Sequence, residues 1–377
     1  MGSEAPVPTA SGRREPSLRE VLLMLAAVFA AHLLAVCRVK SFWEVVASWG
    51  DNQDYLDIVT MLRQGHFSGG PLPSHFWGFP YAIAAMSKLF SMPELLALVM
   101  ISMLASVAVC ILVHRLYGGW VAAATLVFLN YQWILTCIEG GSEPLFVCLL
   151  YASFLAARSG RWTFAAALAS LSTTVRPVGV FALVSFAAVL AWRKSYRQLA
   201  AITCMGLAVG VLYVVPVWMI LGNPLASFTA YRDAAWAWDP HGWLVTLPFR
   251  AVVSSYVAGF HDTRWTVLVI CTVWPVIALT GMAAMWLPRG HQRFLPFQQE
   301  AVFASMYTLF LLTFNAPEYI VWSLPRYLIP VVPLLFFALR DWIPRDRRAL
   351  WGSALLSAWL AAAAVVSFKN VFGFRLP

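Results

Sequence analysis

Glu94-Leu-Leu-Ala-Leu-Val-Met-Ile-Ser-Met-Leu-Ala-Ser-Val-Ala-Val-Cys-Ile-Leu-Val113 carries no charge after its first residue. A helix rises about 1.5 Å per residue and the hydrocarbon layer is about 30 Å thick, so about 20 apolar residues make one crossing. The stretch reads as a transmembrane helix, and its neighbours repeat the pattern. Further apolar runs, bounded by charge or by Pro and Gly, lie at 21–37, 120–138, 143–157, 162–175, 177–192, 199–221, 265–286, 299–316, 325–339 and 349–366. The runs between 143 and 192 are shorter than a full crossing and borrow flanking polar residues that snorkel to the surface. Of the 377 residues, 61% are hydrophobic and 11% charged, with a mean hydropathy of +0.73. An ordinary soluble domain is about half apolar and a quarter charged. So little polar surface cannot cover a water-soluble globule, which excludes a cytosolic enzyme. Disordered, collagen-like and disulfide-scaffold chains need a Gly, Pro or Cys excess that is missing here. The expected fold is an all-α polytopic membrane protein of about eleven transmembrane helices, with amphipathic surface helices in its outer loops, forming a single integral-membrane domain over 1–377.

The net charge of +9 reads as topology rather than as affinity for nucleic acid, because Lys and Arg collect in cytoplasmic connections. Phe76 to Met92 decides the orientation: it is apolar but short, and Gly78, Pro80 and Lys88 interrupt it. If it lies on the surface and the amino terminus is cytoplasmic, the tight connections holding Arg158 and Arg161, then Arg193, Lys194 and Arg197, then Arg289 and Arg293, all face the cytoplasm. If it crosses, they all face outward, against the rule. The first arrangement gives a cytoplasmic tail at 1–20 and two long extracytoplasmic segments, 38–93 and 222–264. The membrane it favours is a bacterial plasma membrane over the endoplasmic reticulum. The excess charge then lies inside, and the outer face is close to neutral. There Asp51, Asp54, Asp57, Glu139, Glu143, Arg176, Arg232 and Arg326 stand beside clustered aromatics such as Trp236, Trp238 and Trp243. No internal repeat supports an inverted-repeat transporter. The cysteines, all in or at the ends of apolar runs, read as small hydrophobes.

Trp49 to Gly65 spells a short amphipathic helix: Tyr55, Ile58, Val59 and Leu62 share one face and Gly65 closes it. Asp51 sits at its amino-terminal end. There it serves either as an N-cap, with Asp54 complementing the helix dipole, or as a general base at the membrane–water boundary; the two roles are compatible. Arg176, in Arg-Pro-Val-Gly, and Arg326, in Pro-Arg-Tyr-Leu-Ile-Pro, lie at the outer ends of spans. An Arg at such depth faces a polar cavity or an anion, or simply snorkels to the interface. Two guanidiniums at one level could clamp a phosphate. In Glu139-Gly-Gly-Ser-Glu143-Pro, Ser142 reads as a helix cap and Pro144 as a first-turn proline, while Glu143 contacts substrate or pairs with an Arg. The histidines show no ligand spacing, so no metal site is assigned; no cofactor is implied, and a divalent metal is compatible but not indicated.

In order along the chain, these features resemble the GT-C class of integral-membrane glycosyltransferases, which use polyprenyl-phosphate-linked sugars. A first span leads to a loop with Asp51, Tyr55 and Gly65. There follow the Pro-rich apolar stretch Pro71 to Phe90, the Ser142-Glu143-Pro144 turn, Arg161-Trp162, Arg176-Pro177-Val178-Gly179, Leu221-Gly222-Asn223-Pro224 and Arg326-Tyr327-Leu328-Ile329-Pro330. The branch that adds mannose to glycolipid anchors and related bacterial mannosyl- or arabinosyltransferase-like proteins are the nearest in pattern. Asn52 departs from that pattern, standing where many members place a second acid. The resemblance implies transfer of a hexose or pentose, with inversion, from a polyprenyl-phosphate donor to a hydroxyl acceptor at the extracytoplasmic face. It makes Asp51 and Asp54 the catalytic carboxylates and Arg326, Arg176 and Arg232 the holders of the donor phosphate. Tyr55, Glu143, His75 and Tyr327 become substrate contacts. The partners are the lipid-linked sugar, the acceptor and the bilayer, with no nucleic acid. The rivals are a lipid-linked saccharide polymerase or ligase, and a lipid or solute transporter or flippase. A transporter would carry charges in mid-span, whereas most here cluster at the outer ends.

Overall fold

The computed structural model describes residues 15–39, 42–48, 50–67, 75–230, 253, 265–313, 324, 326–343, 345–356 and 358–359. The described elements are helical: α1 Leu18–Val39, α2 Phe42–Ser48, α3 Gly50–Gln64, α4 Gly78–Phe90, α5 Glu94–Tyr117, α6 Gly119–Ile138, α7 Glu143–Arg158 and α8 Trp162–Val175. A 3₁₀ turn at Pro177–Gly179 leads into α9 Val180–Trp192. Then come α10 Tyr196–Leu221, α11 Trp265–Trp286, α12 Pro288–Phe294, a 3₁₀ turn at Leu295–Phe297, α13 Gln298–Thr313 and α14 Val332–Ala338. The molecule is an all-α multi-pass membrane protein.

Local sequence explains the helix ends. Ser17 and Glu20 form a reciprocal capping box at the start of α1: the Ser17 amide donates to Glu20 Oε2 at 2.9 Å and the Glu20 amide to Ser17 Oγ at 3.3 Å. Helix α3 ends at Gly65, whose φ of 71° is the left-handed conformation that closes a helix without Cβ strain. Asp51 lies inside the first turn of α3 rather than at its cap, because the helix already begins at Gly50. Ser142 precedes α7 but makes no side-chain cap bond; its hydroxyl is engaged by Tyr55 instead.

The helices alternate in direction, so their connections gather at two ends. At one, Arg158 at the close of α7 grips Glu300 at the start of α13 (Nη2–Oε2 2.7 Å), and Tyr117 donates to the same carboxylate at 2.6 Å. Arg293 pairs with Asp341, and Arg347 with Glu20. At the opposite end lie the α6–α7 and α8–α9 connections, α3 and Arg326. Helix α4 has both of its ends there. Gly78 packs against the end of α8 so closely that an added Cβ would meet the Thr174 carbonyl oxygen at 2.6 Å. Near its other end, Ser87 accepts from Arg63 of α3, which also pairs with Glu94 at the start of α5. Thus α4 lies across one end of the bundle and makes no pass through it.

Apolar surface is buried between helices and also left facing outward. The core runs through Leu98, Phe146, Tyr151, Phe154, Phe186, Phe303 and Leu335; between helices in lipid such packing stabilises through van der Waals contact rather than through transfer from water. Helices α5 and α10 are each long and apolar enough to cross a membrane alone, and only 11% of α10's most apolar window is buried, which leaves it turned outward. A smaller cluster of Ile58, Phe76, Trp77, Tyr213 and Val217 ties α3 and α4 to α10. That cluster anchors the chain next to His75.

Candidate functional site

Five separate segments bring charged side chains to the α4 end of the bundle. Helix α3 supplies Asp51 and Asp54 from one turn, and the stretch before α4 supplies His75. The start of α7 supplies Glu143, the α8–α9 connection Arg176, and the segment before α14 Arg326. Arg326 Nη2 lies 2.6 Å from Asp51 Oδ2, and its Nε bonds Glu143 Oε1. Arg176 Nη1 reaches the same Glu143 oxygen at 2.9 Å. His75 bridges the two aspartates, with Nδ1 2.8 Å from Asp54 Oδ2 and Nε2 3.5 Å from Asp51 Oδ1. The constellation is graded in depth: the Glu143 side chain is 2% exposed, that of Asp51 16% and that of Asp54 38%. Water therefore reaches the cluster from the Asp54 side.

The charges balance within the cluster. The carboxylates Asp51, Asp54 and Glu143 face the cations His75, Arg176 and Arg326 one for one. Burial alone would raise the Asp51 carboxyl, but the Arg326 guanidinium and His75 outweigh it and hold the group well below the usual carboxylate range. Burial would lower His75, yet its hydrogen bonds with Asp51 and Asp54 raise it to about 9, so it is an imidazolium at neutral pH. Glu139, buried without a charged partner, is pushed up to about 8 by desolvation. It is neutral at pH 7 and stays out of the balance.

Uncharged neighbours fix the carriers. Tyr55, buried on the inner face of α3, donates to Ser142 Oγ at 3.0 Å and meets the rings of His75 and Phe79 edge-on at 4.9 and 5.0 Å. Asn52, next to Asp51 and fully buried, donates from one amide to two backbone carbonyls, Val46 at 2.8 Å and Glu139 at 2.6 Å. It locks α3 to the α6–α7 hairpin, and Ser102 secures that hairpin from behind by donating to the Gly141 carbonyl at 2.7 Å. The ring of Tyr327 lies 6.0 Å from the Arg176 guanidinium. Of the residues singled out in the sequence, Asp51, Asp54, Tyr55, His75, Glu143, Arg176, Arg326 and Tyr327 thus come together. Arg232 lies outside the described residues. Sequence reasoning missed the parts played by Asn52 and Ser142: a buried amide bonding a backbone 87 residues away has no local signature.

The arrangement has defined chemical capacities. Each guanidinium carries five N–H donors, and the carboxylate contacts leave donors on both Arg176 and Arg326. A carboxylate edge open to water thus adjoins two half-buried anion-binding groups, Arg176 and Arg326. Among the described residues, no three His, Cys, Asp or Glu side chains are grouped so as to hold a metal ion.

The fold that carries this cluster is similar to that of solved integral-membrane proteins. Two crystal structures of ArnT from Cupriavidus metallidurans are similar to this chain, one bound to undecaprenyl phosphate and one in the apo state. The TM-scores are 0.53 and 0.50, each at 15% identity, over 96% and 94% of this chain. The chain spans 67% and 65% of the length of those two structures. No protein-family model matches the sequence, and no curated protein does.

Proposed function

We propose that the chain is a membrane glycosyltransferase that moves a sugar from a polyprenyl-phosphate donor to a hydroxyl acceptor at the extracytoplasmic face, with inversion. The observation that carries this reading is the shared guanidinium: Arg326 joins Asp51, at the wetter edge, to Glu143, at the buried edge, within the helical bundle. The similar ArnT structure bound to undecaprenyl phosphate supports a polyprenyl phosphate as the donor's carrier. The sugar is a hexose or pentose, mannose being the one the motif order favours.

In this reading the acceptor hydroxyl approaches from the Asp54 side. Its oxygen forms a bond to the anomeric carbon as the bond from that carbon to the phosphate oxygen breaks, and its proton passes to Asp51. The leaving lipid phosphate keeps the electron pair and so gains negative charge while Asp51 loses it. Arg326, already drawn toward the bound donor phosphate, meets that developing charge beside Arg176, where it is needed. Held by Arg326 and His75, Asp51 is too acidic to be a strong base at rest. It becomes one as the donor phosphate draws Arg326 away. His75 orients the carboxylate and Asp54 orients His75.

Purified protein supplied with radiolabelled polyprenyl-phosphate sugars tests the reading through transfer to an acceptor. Asp51→Asn is expected to slow transfer by about 10² to 10⁴-fold, the usual worth of a positioned general base. Transfer at the wild-type rate would remove Asp51 from the mechanism.

A further inference from the structure

At the end of the bundle opposite the charge cluster, two helical connections lie side by side and share one backbone motif. After α7, the Arg161 amide donates to the Ala156 carbonyl and the Gly160 amide to that of Ala157, both at 3.0 Å. After α9, the Ser195 amide donates to the Leu190 carbonyl at 2.8 Å and the Lys194 amide to that of Ala191 at 2.9 Å. This is the Schellman closure, whose pivotal residue is left-handed and normally Gly. The first connection obeys, with Gly160 at φ 72°; the second places Lys194 at φ 56°. A lysine there strains the backbone where glycine would not. The fold tolerates strain at a position that holds a cation out from the surface.

The surroundings say what the cation serves. An open cavity of about 360 Å³ lies between the first connection and the start of α10, lined by Gly160, Arg161, Trp162, Thr163, Phe164, Gln198 and Ala201; Arg197 adjoins Gln198 in the chain and Lys194 lies four residues before it, at the cavity's rim. Arg161, Lys194 and Arg197 are exposed and have no acidic partner among the described residues. Elsewhere at this end Arg158, Arg293 and Arg347 pair with carboxylates, while Arg115, Arg289, Arg340 and Arg348 are exposed as Arg161, Lys194 and Arg197 are; the adjoining cavity sets this corner apart. Trp192 and Tyr196, 84% and 65% exposed, flank the patch as aromatic residues do at a membrane–water interface. Apolar Phe164 and Leu207 stand exposed on the adjoining α8 and α10 faces, along the path an acyl chain would take from the cavity.

We propose that this corner binds the headgroup of an anionic phospholipid, with its phosphate held by Arg161, Lys194 and Arg197 and its acyl chains lying along α8 and α10. Polybasic positions at a membrane surface attract anionic lipid additively, each cation contributing about fivefold in affinity. The site is separate from the charge cluster and does not depend on the reaction assigned to it.

The test uses the purified full-length chain in neutral detergent doped with phosphatidylglycerol or with phosphatidylcholine. It follows the thermal unfolding midpoint and counts retained lipid by native mass spectrometry. Phosphatidylglycerol is expected to raise the midpoint and to remain bound, whereas phosphatidylcholine does neither. Lys194→Gly separates backbone from ligand: without lipid it should unfold at a higher temperature than wild type, and its apparent affinity for phosphatidylglycerol should fall about fivefold. Adding Arg161→Gln and Arg197→Gln should remove the remaining preference. Equal stabilisation by both lipids, an unchanged affinity in Lys194→Gly, a lower lipid-free midpoint in that variant, or full mimicry by inorganic phosphate would each overturn the proposal.

Discussion

Glu143→Gln removes charge from the deepest point of the cluster while nearly preserving shape. In the wild type, one Glu143 oxygen serves both Arg176 and Arg326, and its side chain is 2% exposed. Neutralising it leaves the two guanidiniums and His75 facing only Asp51 and Asp54. The nearest of these, Asp51, reaches Arg326 but is not paired with Arg176. Breaking a buried pair from one side costs about 3–5 kcal/mol, because the remaining charge stays desolvated and unpaired. At about 2 °C per kcal/mol for a chain of this size, the unfolding midpoint in detergent should fall by about 6–10 °C. A second substitution sharpens the test. Removing Arg176 as well, in Glu143→Gln/Arg176→Gln, restores the balance, so the double variant should be more stable than the sum of the single effects by about 1–3 kcal/mol. If Glu143→Gln costs less than about 1 kcal/mol, or if the two substitutions simply add, the cluster is not a coupled charge balance and the shared-guanidinium reasoning fails.

The other predictions concern pH, packing and orientation. His75, raised from 6.5 to about 9 in the folded protein, contributes stability that is complete below pH 6.5 and lost as pH rises through about 9. Up to roughly 3 kcal/mol is at stake. The midpoint of the wild type should decline between pH 7 and 10 and that of His75→Gln should not; parallel curves would show that the bridge is neutral. Gly78→Ala pushes a methyl into the Thr174 backbone. It should destabilise by about 1–3 kcal/mol and loosen α4, seen as faster hydrogen exchange in α4 than in α5; unchanged exchange would deny the close approach. A cysteine introduced within 222–264 should react with an impermeant maleimide added outside intact cells, and labelling only after lysis would reverse the assigned orientation.

How far the sequence could be read depended on the range of the interaction concerned. Helix limits were local and came through well: the run at 265–286 is α11, that at 162–175 is α8, and 199–221 lies within α10. The face of α3 was equally legible, since Tyr55, Ile58 and Val59 are all buried as the spacing predicts. Charge placement also carried information, because ionisable groups confined to helix ends can only meet one another there. What could not be read was which cation takes which acid. Arg326 and Arg176 suggested a phosphate clamp, yet each is already engaged by Glu143, and Arg326 also by Asp51. Asn52 read as a departure from a motif because its partners, the Val46 and Glu139 carbonyls, are backbone atoms that any sequence would supply. Ser142 had the composition of a cap, but a hydroxyl from α3 took it first.

The separation of Asp51 from Arg326 by 275 residues also bears on biogenesis. A ribosome delivers α3 and the α6–α7 hairpin into the bilayer long before the segment that carries Arg326. Among the described residues, the partners present during that interval are His75 for Asp51 and Arg176 for Glu143. Three carboxylates of the cluster then face two of its cations, an acidic hole of one charge that Arg326 fills when it is made. Chains cut short before Arg326 would keep that hole open, a mark by which membrane quality control could tell unfinished copies from complete ones.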